Sequence, residues 1–351
     1  MKALFRVDAA PHMGSGHLMR CMTLAMAWRA RGTACHFLCR CQPGFSSRPL
    51  EEAGFPVSIL PAPEESSWLG VSEQQDAADS LPIITDIAPD WLVVDHYALS
   101  TDWEVRARDN TDRLLVIDDL ADRPHCCDVL VDQNLGRDQS DYQALLPSSC
   151  QVLTGPAYAM LRPEFALNRS ASLARRADSR CRHLLISMGG SDPGGATGLV
   201  LKGLKECRLP DLERITVIMG SMAPGLEQIR QLGNSLQWPV DMAVNVADMA
   251  SRMATADLAI GAAGSSAWER CALGLPTVMV ILADNQRVGA RALEESGAAV
   301  TLGGVDDIAV DLPACVESLQ APERLQAMSR KAAAVTDGSG VNRVLDTLIG
   351  S

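Results

Sequence analysis

The sequence predicts an α/β protein built from two Rossmann-like domains whose parallel sheets face an interdomain cleft. Three observations predict it. Short apolar runs alternate with helical stretches, the order that gives parallel sheets covered on both faces. A strand, a glycine-rich turn and a helix recur as a unit at the start of each half. At 351 residues the chain exceeds the roughly 250 at which a single core stops growing. Composition agrees, since 47% hydrophobic and only 21% charged residues exclude a disordered chain.

In the first half, Lys2–Val7 reads as the opening strand, followed by a loop holding Gly14 and Gly16. A helix opens near His17 and stops at Gly32, with Leu18, Cys21, Met22, Ala25 and Trp28 on one apolar face. Further strands are expected at Thr33–Leu38, Val57–Leu60, Trp91–Val94, Leu114–Ile117 and Val129–Val131. The second half restarts with a strand at His183–Ser187, the pairs Gly189–Gly190 and Gly194–Gly195, and a helix from Ala196. Strands at Ile215–Met219, Leu258–Gly261 and Thr277–Leu282 follow, then helices over Val305–Ser351 with a break at Asp337–Gly340. Leu167–Arg182 is basic and lacks apolar periodicity. The expected boundaries are therefore 1–166 for the first domain, 167–181 for a linker and 182–351 for the second domain.

Charge and composition narrow the partners. Lys+Arg 31 against Asp+Glu 43 leaves a net charge of −12, which disfavours nucleic acid and anionic membranes. A single phosphate group held locally by backbone N–H groups is not disfavoured. The most apolar stretch, Cys271–Ala283, contains Gly274 and Pro276 and falls short of the roughly 18–20 residues a bilayer requires. Lys2, Arg6 and Asp8 interrupt any secretory apolar region. The 11 cysteines include no Cys-x-x-Cys pair, so reduced thiols are expected and a zinc site is not. The expectations are a cytoplasmic protein with no membrane partner, no metal and no cofactor, its oligomeric state left open with a monomer favoured.

In open parallel sheets, ligands bind at the carboxyl ends of the strands, where helix N-termini present unpaired N–H groups. Two segments meet that requirement. The first runs from Arg6 and Asp8 to Gly14-Ser15-Gly16-His17. Its glycines permit a sharp turn, and His17 at the first helical position is kept neutral and basic by the helix N-terminus, which suits a general base. The second is Gly261-Ala262-Ala263-Gly264-Ser265-Ser266-Ala267-Trp268-Glu269. Gly264, Ser265 and Ser266 offer backbone and hydroxyl donors to a diphosphate, and Glu269 an acceptor to a ribose diol. An ordinary capping box between Ser266 and Glu269 fits the same spacing. Asp284-Asn285-Gln286 and Asp95-His96-Tyr97 each follow a strand, where polar side chains suit sugar hydroxyl or acetamido groups. Met188-Gly189-Gly190-Ser191-Asp192 is expected to form the opposite wall. The chain contains no Asp-x-Asp, no Walker lysine motif and no Gly-x-Ser-x-Gly elbow. Position 19 is Met where a dinucleotide fingerprint needs glycine, so a nicotinamide oxidoreductase ranks last.

These motifs occur in a recognisable order: Arg6-x-Asp8, Gly14-Ser15-Gly16-His17-x-Met19-Arg20-Cys21, Asp95-His96-Tyr97, Met188-Gly189-Gly190-Ser191-Asp192, Gly264-Ser265-Ser266-x-x-Glu269 and Asp284-Asn285-Gln286. Together they resemble the UDP-2,4-diacetamido-2,4,6-trideoxy-β-L-altropyranose hydrolases of pseudaminic acid biosynthesis, a family similar to the MurG-type glycosyltransferases of GT-B arrangement. The resemblance implies a metal-independent nucleotide-sugar hydrolase serving flagellin glycosylation. Its substrate would lose UDP through water attack at the anomeric carbon with inversion. His17 would be the catalytic residue. The diphosphate would sit at Gly264–Ser266, the ribose at Glu269 and the uracil near Val246–Met249, while Arg6, Asp8, Gly14, Gly16, Tyr97, Gly189, Gly190, Asn285 and Gln286 would complete the substrate site.

The chemistry is consistent with one base. Glycosidases need two carboxylates because an alkoxide leaves poorly. UDP leaves as a stabilised anion, so a base for water and donors for the departing diphosphate suffice. Two alternatives stay open: a glycosyltransferase on the same scaffold, with an acceptor hydroxyl in place of water, and a non-catalytic UDP-sugar-binding protein. The first half shows no apolar or basic docking run of the kind membrane-associated transferases present, which favours hydrolysis.

Overall fold

The computed structural model describes residues 1–11, 13–63, 65, 68–178, 180–220 and 223–350. It divides into two compact units, Met1–Met160 with Gly340–Ser351, and Leu161–Ser339. The first unit holds a seven-stranded sheet: β1 (Lys2–Val7), β2 (Ala34–Arg40), β3 (Val57–Leu60), β4 (Trp91–Asp95), β5 (Arg113–Ile117), β6 (Val129–Asp132) and β7 (Gln151–Thr154). Its spatial order is β3-β2-β1-β4-β5-β6-β7, and every pair is parallel. The second unit holds β8 (His183–Ser187), β9 (Arg214–Met219), β10 (Val240–Val244), β11 (Leu258–Ala262), β12 (Thr277–Val280) and β13 (Val300–Thr301). They lie in the order β10-β9-β8-β11-β12-β13, again all parallel.

Continuous apolar runs make these strands because helices cover both faces of each sheet, so neither face of a strand meets water. One layer on the first sheet joins Phe5, Val7, Phe37 and Val93 to Leu24 and Trp28 of helix α1 (Gly16–Ala30). The other joins Leu4, Leu38, Val94 and Val116 to Trp103 and Tyr142. In each sheet the strand order reverses once, between β1 and β4 in the first and between β8 and β11 in the second. The connections that leave these neighbours pass to opposite faces, which opens a crevice at their carboxyl ends. Both segments chosen from the sequence begin there.

Two boundary expectations are corrected. Residues 167–181, expected as a linker, are in large part the helix Pro163–Arg175 of the second unit. Its arginines are structural glue: Arg169 donates to the carbonyls of Ala272 (2.5 Å), Ala333 (2.6 Å) and Thr336 (3.0 Å). Just past the helix, Arg176 donates to the carbonyls of Met253 and Ala256, both at 2.9 Å. These oxygens lie at the ends of three helices, where carbonyls lack the i+4 amide of a continuing helix. A basic stretch without periodicity therefore reads as solvated in sequence yet is held against the second unit. The last helix, Gly340–Gly350, belongs to the first unit and not to the second. Val341, Val344, Leu345 and Leu348 join its core, and Arg31 donates to Asp346 at 2.7 Å and Asn342 at 3.0 Å. Three strands escape sequence reading: β7, β10 and β13 are edge or outermost strands whose short, half-polar runs are only partly buried.

Arg6 and Asp8, expected to touch substrate, are 0% and 1% exposed and are committed elsewhere. Arg6 pairs with Asp8 and with Asp76 at 2.7 Å, and Asp76 also takes Arg40 at 2.8 Å and the indole N–H of Trp103 at 2.9 Å. Burial pushes against ionisation of Asp8 and Asp76, and the Arg6 guanidinium outweighs it, holding both carboxyls below the usual range. Asp76→Ala leaves two buried guanidinium groups and an indole without their shared acceptor. It is expected to cost about 3–5 kcal/mol, measured as a shift of the urea midpoint at unchanged m. A loss under about 1 kcal/mol, the worth of a surface pair, would contradict this.

Candidate functional site

In the first unit the crevice between β1 and β4 is occupied by His17. After β1 the chain turns at Gly14, whose φ of +76° favours glycine. The amides of Met13 and Gly14 return to the Ala10 carbonyl at 3.0 and 2.8 Å. Ser15 is the N-cap of α1 but makes no side-chain cap bond. His17 Nδ1 lies 2.5 Å from Oδ1 of Asp95, the last residue of β4. A carboxylate only accepts, so Nδ1 donates, and the tautomer this selects is the one whose free lone pair is on Nε2. The sequence points to the helix N-terminus beside His17, and the structure adds the Asp95 carboxylate on Nδ1.

Asp95 is shared. Arg20, one turn along α1, donates to it through Nε and Nη2, both at 2.7 Å. Burial works against the charged carboxyl of Asp95, and the Arg20 guanidinium overcomes it and holds the group far below the usual carboxylate range. Aromatic rings flank His17: Tyr97 meets it edge-on at 4.5 Å between centroids and Trp68 at 5.8 Å. His96 faces the other way. Its Nδ1 accepts from the Ala98 amide at 3.1 Å, and Nε2 lies 3.2 Å from Asp8. That contact ties the Arg6–Asp8 network to the loop after β4 and makes Arg6 and Asp8 supports of this loop.

In the second unit the crevice between β8 and β11 gathers the glycine loops. Gly189 has a φ of +84° with nothing near its missing side chain. Asp192 is 1% exposed, its Oδ1 accepts from the Thr197 amide at 3.0 Å, and burial raises its carboxyl. After β11, Ser265 is the N-cap of the short helix Ser266–Ala272 and makes no side-chain cap bond. The capping box that the spacing of Ser266 and Glu269 allows is not formed. Instead, the buried Arg270 donates to the Ala262 carbonyl at 2.6 Å and holds the loop from behind. Glu269 is half-buried, and burial pushes its carboxyl up to about 7 against the charges of Arg162 and Arg270.

Gln286 joins two of the expected segments. Its Oε1 accepts from the Leu282 amide at 2.9 Å, and its Nε2 sits 3.4 Å from where a side chain on Gly264 would begin. Asn285 is exposed beside it. Val246 and Met249, both half-buried, follow β10, the edge strand three places from β11. The sequence argument passed over Arg20, Asp95 as the partner of His17, Trp68, Asp119 and Asn134. Arg20 carried a usable signal, its i+3 spacing from His17 on one helix face. Trp68 carried none.

Comparison with known proteins matches this architecture. Residues 188–344 match the glycosyltransferase family 28 C-terminal domain. Acinetobacter baumannii MurG superposes with a TM-score of 0.70 at 18% identity, over 100% of both chains. The fold is that of the GT-B glycosyltransferases. The chain is also 29% identical over 245 residues, 69% of its length and 78% of the relative's, to the UDP-2,4-diacetamido-2,4,6-trideoxy-β-L-altropyranose hydrolase of Campylobacter jejuni. It is 31% identical over 156 residues to the spore coat polysaccharide biosynthesis protein SpsG of Bacillus subtilis, a match that spans 44% of either chain. The resemblance read from the motifs is thereby shown. Among the described residues, no helix is long and apolar enough to cross a membrane.

Proposed function

We propose that the protein is an enzyme acting on a UDP-sugar. Specifically, it hydrolyses UDP-2,4-diacetamido-2,4,6-trideoxy-β-L-altropyranose to UDP and the free sugar, with inversion, as a cytoplasmic step of pseudaminic acid biosynthesis. The observation that carries this reading is the His17–Asp95 pair, which leaves Nε2 as the proton acceptor at a switch point of a parallel sheet. The likeness to the Campylobacter jejuni hydrolase supports the substrate. In this reading Nε2 takes a proton from water as the water oxygen bonds to the anomeric carbon. The bond from that carbon to the diphosphate oxygen breaks, and its electron pair leaves with UDP. Asp95 stays ionised and stabilises the imidazolium.

The remaining roles follow the same proposal. Gly264, Ser265 and Ser266 hold the diphosphate, with the Ser265 hydroxyl not consumed in capping the helix. Glu269 accepts from the ribose, Val246 and Met249 meet the uracil, and Gly189 and Gly190 line the approach. Tyr97, Asn285 and Gln286 contact the sugar, with Gly14 and Gly16 shaping the loop that carries His17. The match of residues 188–344 to a glycosyltransferase domain supports a transferase as the second reading. One incubation separates the two: this UDP-sugar with excess EDTA and no acceptor, followed by NMR. Free sugar of inverted configuration appearing with UDP is the expected result. Substrate that binds and stays intact would overturn hydrolysis in favour of transfer.

His17→Phe is expected to lower turnover roughly 10²–10⁴-fold, the usual worth of a general base, while UDP affinity stays within about twofold by calorimetry. Equal loss of both would mark a structural histidine. Glu269 gives a pH signature. Protonated below about 7, it becomes a stronger, charge-assisted acceptor for the ribose diol on losing its proton, so UDP binding tightens as pH rises from 6 and levels off above 8. The slope is at most about tenfold per pH unit. Glu269→Gln removes this component relative to wild type, and an unchanged profile would exclude Glu269 from the nucleotide site.

A further inference from the structure

Three neighbouring strands of the first sheet run out into acidic or amide residues: Asp95 at the end of β4, Asp118-Asp119 after β5, and Asp132-Gln133-Asn134 at the end of β6. Asp95 is accounted for by His17, whereas Asp119 has no assigned role. Its side chain is 14% exposed, and it gathers donors from three different parts of the unit. Arg20 Nη1, from α1, approaches Oδ1 at 2.9 Å and Oδ2 at 2.8 Å. The Tyr97 hydroxyl, from the loop after β4, donates to Oδ2 at 2.9 Å. Asn134 Nδ2, from beyond β6, donates to Oδ1 at 3.0 Å and is itself anchored to Asp132 at 2.8 Å.

Two of these donors are the immediate neighbours of His17. Arg20 shares Asp95 with the imidazole, and the Tyr97 ring walls it edge-on at 4.5 Å. Tyr97 is half-buried on a loop, and this hydrogen bond restrains a ring that would otherwise turn about its side-chain torsions. A carboxylate suits the position better than an amide, because two acceptor-only oxygens serve all three donors and the charge completes the pairing of Arg20. The placement has a cost nearby: burial, and then the Asp119 charge, push the Asp132 carboxyl up to about 6.

We infer that Asp119 is a positioning residue for the His17 site, fixing the Tyr97 ring and the outer nitrogen of Arg20 so that the imidazole has one orientation. Its kinetic test rests on the hydrolase reading, and its structural test does not. Asp119→Ala is expected to lower kcat about 10²-fold, the scale of a small misplacement of catalytic groups, with UDP affinity within about twofold. Asp119→Asn keeps an acceptor for Tyr97 and recovers about tenfold of that loss. Combining Asp119→Ala with Tyr97→Phe slows turnover no further than Asp119→Ala alone, because both changes release the same ring. A crystal structure of Asp119→Ala is expected to show the Tyr97 ring moved from its 4.5 Å contact with His17.

Unchanged kcat in Asp119→Ala, losses that multiply in the double variant, or a ring that stays in place would each overturn the proposal. If the wild-type protein releases UDP from no UDP-sugar, the hydrolase reading fails by itself, and the position of the Tyr97 ring still decides the role of Asp119. If Asp119→Ala does not fold, Asp119→Asn with and without Tyr97→Phe takes its place. Because Asn still holds the Tyr97 hydroxyl, a kcat that Tyr97→Phe lowers further in this background is then the supporting result, and a Tyr97→Phe change without effect the opposing one.

Discussion

The arrangement of the first unit depends on how one carboxylate is divided. Asp95 gives one oxygen to His17 Nδ1 at 2.5 Å and Arg20 Nη2 at 2.7 Å, and the other to Arg20 Nε at 2.7 Å. An unpaired carboxylate in this 1%-exposed position would be costly, so Arg20 stabilises the charge that orients the histidine. Because a carboxylate has no proton to give, the division also selects the tautomer of the ring: Nδ1 carries the proton and Nε2 the lone pair. The position of Asp95 is in turn fixed by register. It closes β4 opposite Val7 at the end of β1, so the same pairing that builds the sheet brings the carboxylate to α1.

The two units put buried arginines to different uses. In the first, Arg6, Arg20 and Arg40 pair with Asp8, Asp76, Asp79, Asp95 and Asp119, and these ion pairs hold loops at the carboxyl edge of the sheet. In the second, Arg169, Arg176 and Arg270 serve backbone carbonyls at helix and strand ends. There burial lowers the guanidinium of Arg176 and of Arg270 to about 10, still charged at neutral pH. The first scheme positions side chains, and the second stiffens loops whose backbone N–H groups do the binding in the proposed function.

Strands with long apolar runs were legible in the sequence because helices cover both faces of the sheets. Lys2–Val7, Val57–Leu60 and His183–Ser187 coincide with β1, β3 and β8. The turns that precede the helices at Gly16 and Ser266 were legible because glycine marks a sharp strand-to-helix turn. What escaped was long-range. No local pattern reports that Asp95 lies against His17, 78 residues away, or that Arg169 reaches the end of a helix 103 residues later. Arg6 and Asp8 misled for the same reason, since an ion pair beside a glycine loop has the composition of a binding site until its burial is known.

The central claim is that His17 presents an unprotonated Nε2, and histidine-labelled NMR tests it most directly. Two-bond proton–nitrogen correlations at a pH above neutrality distinguish the tautomers, with His17 assigned by its loss in His17→Phe. The account predicts a protonated Nδ1 and a pyridine-type Nε2 for His17, as the 2.5 Å contact with Asp95 requires. A proton on Nε2 would leave the ring unable to accept one from water and would contradict the account.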